Sequence, residues 1–157
     1  AYNFDLLKLN LPKLGSLIRS SAVSRFAQML NVLVSSGVQV VDALAIAGET
    51  VDNKVFEKDL KQARKDVLGG AAMSVALQSK YMPDMAVSLI AIGEKTGALS
   101  EMLEGVADYF TSDMDDKIDG LTSAIEPIMT LIITLFVGMF VLAVFLPMIE
   151  GVTGQLG

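Results

Sequence analysis

A chain with no histidine and no cysteine has to do its chemistry with carboxylates, amines and hydroxyls. A Ser-His-Asp or Cys-His catalytic unit is thereby excluded, and zinc and haem lose their commonest ligands. No disulfide framework is possible, which fits a reducing compartment. The segment closest to a nucleotide motif is Gly93-Glu94-Lys95-Thr96-Gly97. A phosphate loop needs Gly directly before Lys, with an earlier Gly. Here Glu94 takes that place, and a carboxylate there repels phosphate. The segment also joins two helical patterns instead of following a strand. It reads as a helix–helix corner, with Gly93 and Gly97 bracketing a tight turn that uses glycine's backbone freedom.

Two charged groupings remain. Asp108, Asp113, Asp115, Asp116 and Asp119 crowd the segment before the most apolar part of the chain. They read as a solvated helix face, or as a patch for a basic partner centred on Asp113, Asp115 and Asp116. One helix alone does not supply the converging oxygens that a divalent cation needs. Lys54, Lys58, Lys61, Arg64 and Lys65 form a basic face, with Glu57 four residues before Lys61. That face is either solvated or meets an acidic partner or anionic lipid headgroups. An enzyme built from these residues would need paired carboxylates in a cleft or a Ser-Lys pair, and no spacing suggests either. With net charge −6, nucleic acid is a poor partner.

The elements that position these residues are helical. Residues 1–20 form an amphipathic lead-in of Leu6, Leu7, Leu9, Leu11 and Leu14 among Lys8, Lys13 and Arg19, broken by Pro12 and Gly15. It is either a strap on the domain or an interfacial segment with basic residues at a lipid surface. Residues 21–120 carry six helical patterns. Phe26, Met29, Leu30, Leu33 and Val34 give the first its apolar face, with Ser20, Ser21 and Ser24 as candidate N-caps and Gly37 as its stop. A second helix covers about Val40 to Glu49. Asn53 caps the third, which buries Phe56, Leu60, Ala63 and Val67 and ends at Gly69-Gly70. A short fourth covers about Met73 to Gln78. Pro83 opens the fifth at a first-turn position, with Met85, Leu89 and Ile92 as its inner stripe beside Ala86 and Ile90. Ser100 caps the sixth, whose core face is Leu103, Val106, Phe110, Met114 and Leu121. The fold class is all-α: a six-helix bundle followed by one membrane-spanning helix.

That span is the run Pro127 to Ile149, free of charge and fenced by Glu126 and Glu150. At about 1.5 Å per helical residue it reaches about 35 Å, against a hydrocarbon core about 30 Å thick. The transmembrane helix is placed at 121–150, bent at its start by Pro127, with a short non-cytoplasmic tail at 151–157. All 12 basic residues precede the run, which puts the N-terminal domain in the cytoplasm. Glu126, Thr130, Thr134 and Gly138, spaced by four, draw one polar-to-small stripe along this helix. Such residues let membrane helices approach and hydrogen-bond, so the stripe reads as a helix-packing face, ahead of chance lipid contact and of a proton or ion path.

Taken together, these residues resemble the type II secretion F domain. Arg25-Phe26-Ala27, Leu33, Ser35-Ser36-Gly37-Val38, Ala43-Leu44 and Ala47 look like its opening. Gly93-Glu94, Thr96-Gly97, Leu99, Met102-Leu103 and Val106-Ala107 match, as do Glu126-Pro127 and Leu146-Pro147 around the span. The lead-in with Asp5, Leu11-Pro12 and Gly15 also fits. The resemblance implies an inner-membrane platform protein of a type II secretion system or type IV pilus. Such platforms are non-enzymatic and use no cofactor. They are expected to couple a cytoplasmic ATPase to pilins or pseudopilins, beside other inner-membrane assembly proteins and as homo-oligomers. The N-terminal domain is then cytoplasmic and the C-terminus periplasmic. Family members usually carry two such domains and three spans, so this chain looks like the C-terminal half or a minimal relative. A small oligomeric membrane channel or transporter subunit is the alternative reading.

Overall fold

Seven helices account for the regular structure of the computed structural model, which describes residues 2–156. They are α1 (Tyr2–Asn10), α2 (Leu14–Ser35), α3 (Val40–Glu49), α4 (Lys54–Leu68), α5 (Met73–Ala76), α6 (Asp84–Thr96) and α7 (Leu99–Leu156). No strand occurs among the described residues. The all-α expectation holds, with one helix more in the bundle than the sequence pattern indicated. The chain divides into two compact units, one ending at Lys117 and one beginning at Ile118.

The first unit holds the core. Phe26, Leu30, Leu44, Phe56, Ile90 and Leu103 are fully buried and come from five different helices. Phe56 also meets the Tyr81 ring at 6.2 Å, tying α4 to the loop before α6. Helix ends follow local chemistry. Asn53 Oδ1 accepts from the N–H groups of Val55 (3.0 Å) and Phe56 (3.4 Å), capping α4 as its position suggested. At the end of α2, Gly37 adopts φ 87° and Val38 N–H reaches back to the Leu33 carbonyl at 3.0 Å. That left-handed glycine closes the helix by satisfying its last carbonyls.

Several sequence expectations are corrected here. Ser20, Ser21 and Ser24 do not cap α2. The helix already starts at Leu14, so they lie inside it, and Ser20 and Ser24 are buried. The lead-in divides at Pro12 into helix α1, a turn at 11–13 and the start of α2. Pro83 is the residue before α6 and not in its first turn. On α6, Ala86, Ile90 and Gly93 are buried and Leu89 packs against the core as expected, but Met85 and Ile92 are exposed. Periodicity misassigned those two because α6 is apolar over more than one face, and a wide apolar arc does not say which side meets the core. On α7 the buried run is Leu103, Val106, Ala107 and Phe110, and it stops short of Leu121.

Two glycines mark places where helices nearly touch. A Cβ on Gly15 would overlap the Leu9 carbonyl oxygen, so α1 folds back on α2 only without a side chain there. A Cβ on Gly93 would lie 2.8 Å from Leu99 Cα and 3.1 Å from Met102 Cβ, which fixes α6 against the start of α7. Gly105 has open space around it. Gly15→Ala and Gly93→Ala are therefore expected to lower stability by about 1–3 kcal/mol each, since backbone overlap relaxes poorly. Gly105→Ala, in a helix interior, is expected to raise it by about 0.5–1 kcal/mol. Melting of the purified variants, followed by helicity in detergent, checks the signs.

Candidate docking surfaces

The basic face is a property of α4. Its buried side carries Val55, Phe56, Leu60 and Ala63, which turns Lys54, Lys58, Lys61 and Lys65 outward. These lysines are not equivalent. Glu57 is held by both Lys54 and Lys61, each Nζ at 2.7 Å from a different carboxylate oxygen. Hydrogen bonds from Lys54 and then Lys61 lower the Glu57 pKa to about 2, and the Lys54 pKa is raised in return. Lys58 lies 5.2 Å from the centre of the Tyr2 ring on α1. Arg64 Nε donates to the Val41 carbonyl at 3.3 Å, so this side chain braces α3. Lys65 is exposed and forms no ion pair among the described residues. Tyr2, Lys54, Glu57, Lys58, Asp59, Lys61, Gln62 and Lys65 line an open cleft of about 740 Å³ in which lysines outnumber carboxylates. Its chemistry suits an acidic partner, with Lys58 and Lys65 least committed to neighbours.

The acidic group is split by the fold. Asp115 and Asp116 are exposed. Asp113 is part-buried, and accepts from Ser20 Oγ at 2.6 Å and from Lys117 Nζ at 2.5 Å. Lys117 Nζ also reaches Ser20 Oγ at 2.9 Å and the Ser16 carbonyl at 3.5 Å. Hydrogen bonds from Lys117 and then Ser20 hold the Asp113 carboxyl below its ordinary range. Asp113 thus belongs to a seam between α2 and α7, continued by Ser24 with Thr111 at 2.6 Å and by Ser35 with Ser100 at 2.9 Å. The sequence reading missed this seam. Its signal was present as small hydroxyls on α2 at positions 20, 24 and 35. Among the described residues no group of three or more carboxylates is arranged to hold a metal ion.

Gly93, Glu94 and Gly97 have separate roles. Gly93 is buried within α6, whereas Gly97 ends that helix with φ 73°. The Glu94 carboxylate accepts from the N–H groups of Met73 (2.9 Å) and Ser74 (2.7 Å). The residue before α5 is Ala72, whose side chain has no acceptor, so Glu94 supplies the missing cap from a distant helix.

The second unit is the rest of α7. Its apolar side chains are exposed, with Phe136 and Phe140 at 70%. Within it, Thr130 Oγ1 donates to the Glu126 carbonyl at 3.1 Å and Thr134 Oγ1 to the Thr130 carbonyl at 2.8 Å. Both hydroxyls of the stripe are thus satisfied by their own helix. A Cβ on Gly138 would meet nothing. Pro127 and Pro147 lie inside the helix, which continues past both.

These features define a class: a helical-bundle unit continued by a helix long and apolar enough to cross a membrane. Residues 26–147 match the family model for Type II secretion system (T2SS), protein F. The Type IV pilus assembly protein PilC of Thermus thermophilus is 41% identical over 148 residues, covering 93% of this chain and 36% of the relative. The Type IV pilus assembly protein TapC of Aeromonas hydrophila is 35% identical over 149 residues, covering 94% and 36%. The Type II secretion system protein F of Pseudomonas aeruginosa is 34% identical over 143 residues, covering 90% and 35%. The chain belongs to the type II secretion system protein F family, and it spans about a third of the length of these relatives.

Two measurements follow. Replacing Glu94 by Ala is expected to destabilise the first unit by about 1–2 kcal/mol, with the earliest loss of amide protection at Met73 and Ser74 in hydrogen exchange. The pKa values of Glu57 and Asp113 are depressed on folding, so their contribution is complete above the ordinary carboxylate range and is lost as pH falls through the folded values. For Glu57 that window runs from about 4.5 down to about 2. Thermal melts between pH 7 and pH 2.5 are expected to fall less steeply below pH 4.5 in Glu57→Gln and Asp113→Asn than in the unmodified chain. Identical slopes would show that neither carboxylate is held as described.

Proposed function

We propose that this chain forms part of a non-enzymatic platform in the inner membrane of a type II secretion or type IV pilus machine. The observation carrying this reading is the family match over residues 26–147, which runs through both the helical unit and the apolar helix. In this proposal the first unit lies in the cytoplasm and the C-terminal end of α7 in the periplasm. The excess of basic residues before the span supports that direction. The platform couples a cytoplasmic ATPase to the assembly of pilins or pseudopilins, as a homo-oligomer and alongside other inner-membrane assembly proteins.

The roles divide by chemistry. The Lys58 and Lys65 side of α4 offers charge to an acidic surface of the ATPase, and Asp115 and Asp116 offer the opposite sign to a basic one. Partner recognition by such rims sets encounter and specificity more than raw affinity. The stripe of Glu126, Thr130, Thr134 and Gly138 presents small, internally satisfied groups. A pilin helix or another span of the platform therefore approaches closely there without leaving an unpaired polar group in lipid. Glu126 sits at the edge of the apolar run, where a carboxylate costs less than at the bilayer centre. Pro127 gives the helix a place to bend as it leaves the bundle.

The proposal has two direct tests. Lys58→Glu with Lys65→Glu, or Asp115→Lys with Asp116→Lys, is expected to weaken capture of the machine's ATPase by about tenfold at low salt, with the effect fading as salt rises. Unchanged capture by both pairs would remove these surfaces from the account. Thr134→Leu with Gly138→Leu is expected to abolish most filament or pseudopilus assembly in cells while leaving the melting of the first unit unchanged. Normal assembly would show that the stripe faces lipid.

A further inference from the structure

Helix α1 is apolar on two sides, and the fold uses only one of them. Leu6 and Leu9 face the core, with Leu9 4% exposed. Phe4 and Leu7 point away and are 59% and 63% exposed, and Leu11 in the turn and Leu14 at the start of α2 are exposed as well. Positions 4 and 7 share one face of α1 at helical spacing, and Leu11 follows one residue past the helix end. A run of four exposed large apolar residues on a helix nine residues long and the chain leading into α2 is more than scattered surface hydrophobicity.

The charges around this face have one sign. Lys8 Nζ stands 4.4 Å from the centre of the Phe4 ring, and Lys13 lies in the turn between Leu11 and Leu14. The only acid on α1, Asp5, accepts from the Lys54 N–H at 3.0 Å on the α4 side. In a chain of net charge −6, residues 2–19 hold three bases and one acid. Lys117 is the last residue of the first unit. It bonds to the Ser16 carbonyl and Ser20 Oγ, so the first turns of α2, directly after Leu14, stand where the chain leaves this unit toward its apolar run.

We infer that the outward face of α1 and the chain leading into α2 — Phe4, Leu7, Leu11 and Leu14, with Lys8 and Lys13 — lies on the surface of an anionic bilayer. The apolar groups enter the boundary between headgroups and acyl chains. The lysine stems run along them, and the ammonium groups remain at the phosphate level. Each lysine near an anionic surface adds attraction that a neutral surface does not give. The face would hold the bundle to the membrane at a second point besides the span. The inference rests on the reading that residues 127–149 cross a bilayer.

The absence of cysteine makes the test clean, because single cysteines report single positions. The full chain is reconstituted in vesicles of phosphatidylcholine with phosphatidylglycerol, and in phosphatidylcholine alone. Spin labels are placed through Phe4→Cys, Leu7→Cys, Gln62→Cys and Phe136→Cys. In anionic vesicles, labels at 4 and 7 are expected to be several-fold less accessible to a water-soluble relaxation agent than the label at 62. Their depth should be about 5–10 Å, well short of the label at 136. Lys8→Gln with Lys13→Gln, or neutral vesicles, should restore water access at 4 and 7 while leaving 136 unchanged. Labels at 4 and 7 as wet as the label at 62 would overturn the inference, provided the label at 136 is deep. A water-exposed label at 136 would overturn the span itself. Shielding at 4 and 7 that disappears on dilution in lipid would assign the face to a second copy, which also contradicts the proposal.

Discussion

The first unit depends on a polar seam between two helices, buried at Ser20 and Ser24 and open to solvent at Ser35. Small hydroxyls on α2 allow α7 to come close, and each hydroxyl is matched: Ser20 by Asp113, Ser24 by Thr111, Ser35 by Ser100. Ser20 and Ser24 are buried, and a buried polar group without a partner is costly, so their pairing favours this register. That register places Leu103, Val106 and Phe110 in the core. It also places Lys117 against Ser16 and Ser20, at the point where the first unit ends. On α6, Gly93 meets the opposite end of this stretch of α7, while Glu94 ties α6 to α5. One lets α6 touch Leu99, and the other caps α5 with a carboxylate.

The second unit follows a different rule. Its backbone bonds are internal to one helix, its threonines return their hydroxyls to their own carbonyls, and its large apolar side chains are bare. Water is a poor solvent for such a surface, whereas lipid asks only that polar backbone groups be satisfied within the segment. The two prolines each remove one helical hydrogen bond, yet the helix continues on both sides. One element, Leu99–Leu156, therefore contributes to a water-facing core in its first part and to an apolar surface in its later part.

Much of this was readable from residue order. Asn53, Gly37 and Gly69-Gly70 declared helix ends through cap chemistry, which depends on neighbours in sequence. The apolar run from Pro127 declared itself by length. The family resemblance, carried by scattered residues such as Arg25, Gly93 and Leu146, agreed with the match over residues 26–147. What was not readable involved partners far along the chain. Ser20 and Ser24 looked like caps because serine near a helical pattern usually is one, and only Asp113 and Thr111, 93 and 87 residues away, show otherwise. Glu94 looked like part of a corner, although its acceptors serve Met73 and Ser74. The basic face of α4 was evident from spacing, but not that Glu57 engages two of its lysines.

The central claim is that α7 carries this chain through a bilayer, with the helical unit on the cytoplasmic side. Labelling of single cysteines in intact cells with a membrane-impermeant thiol reagent tests it most directly. Gln155→Cys is predicted to react from outside once the outer membrane is permeable, and Gln62→Cys only after the inner membrane is opened. Equal reaction of both positions from the same side would contradict the account.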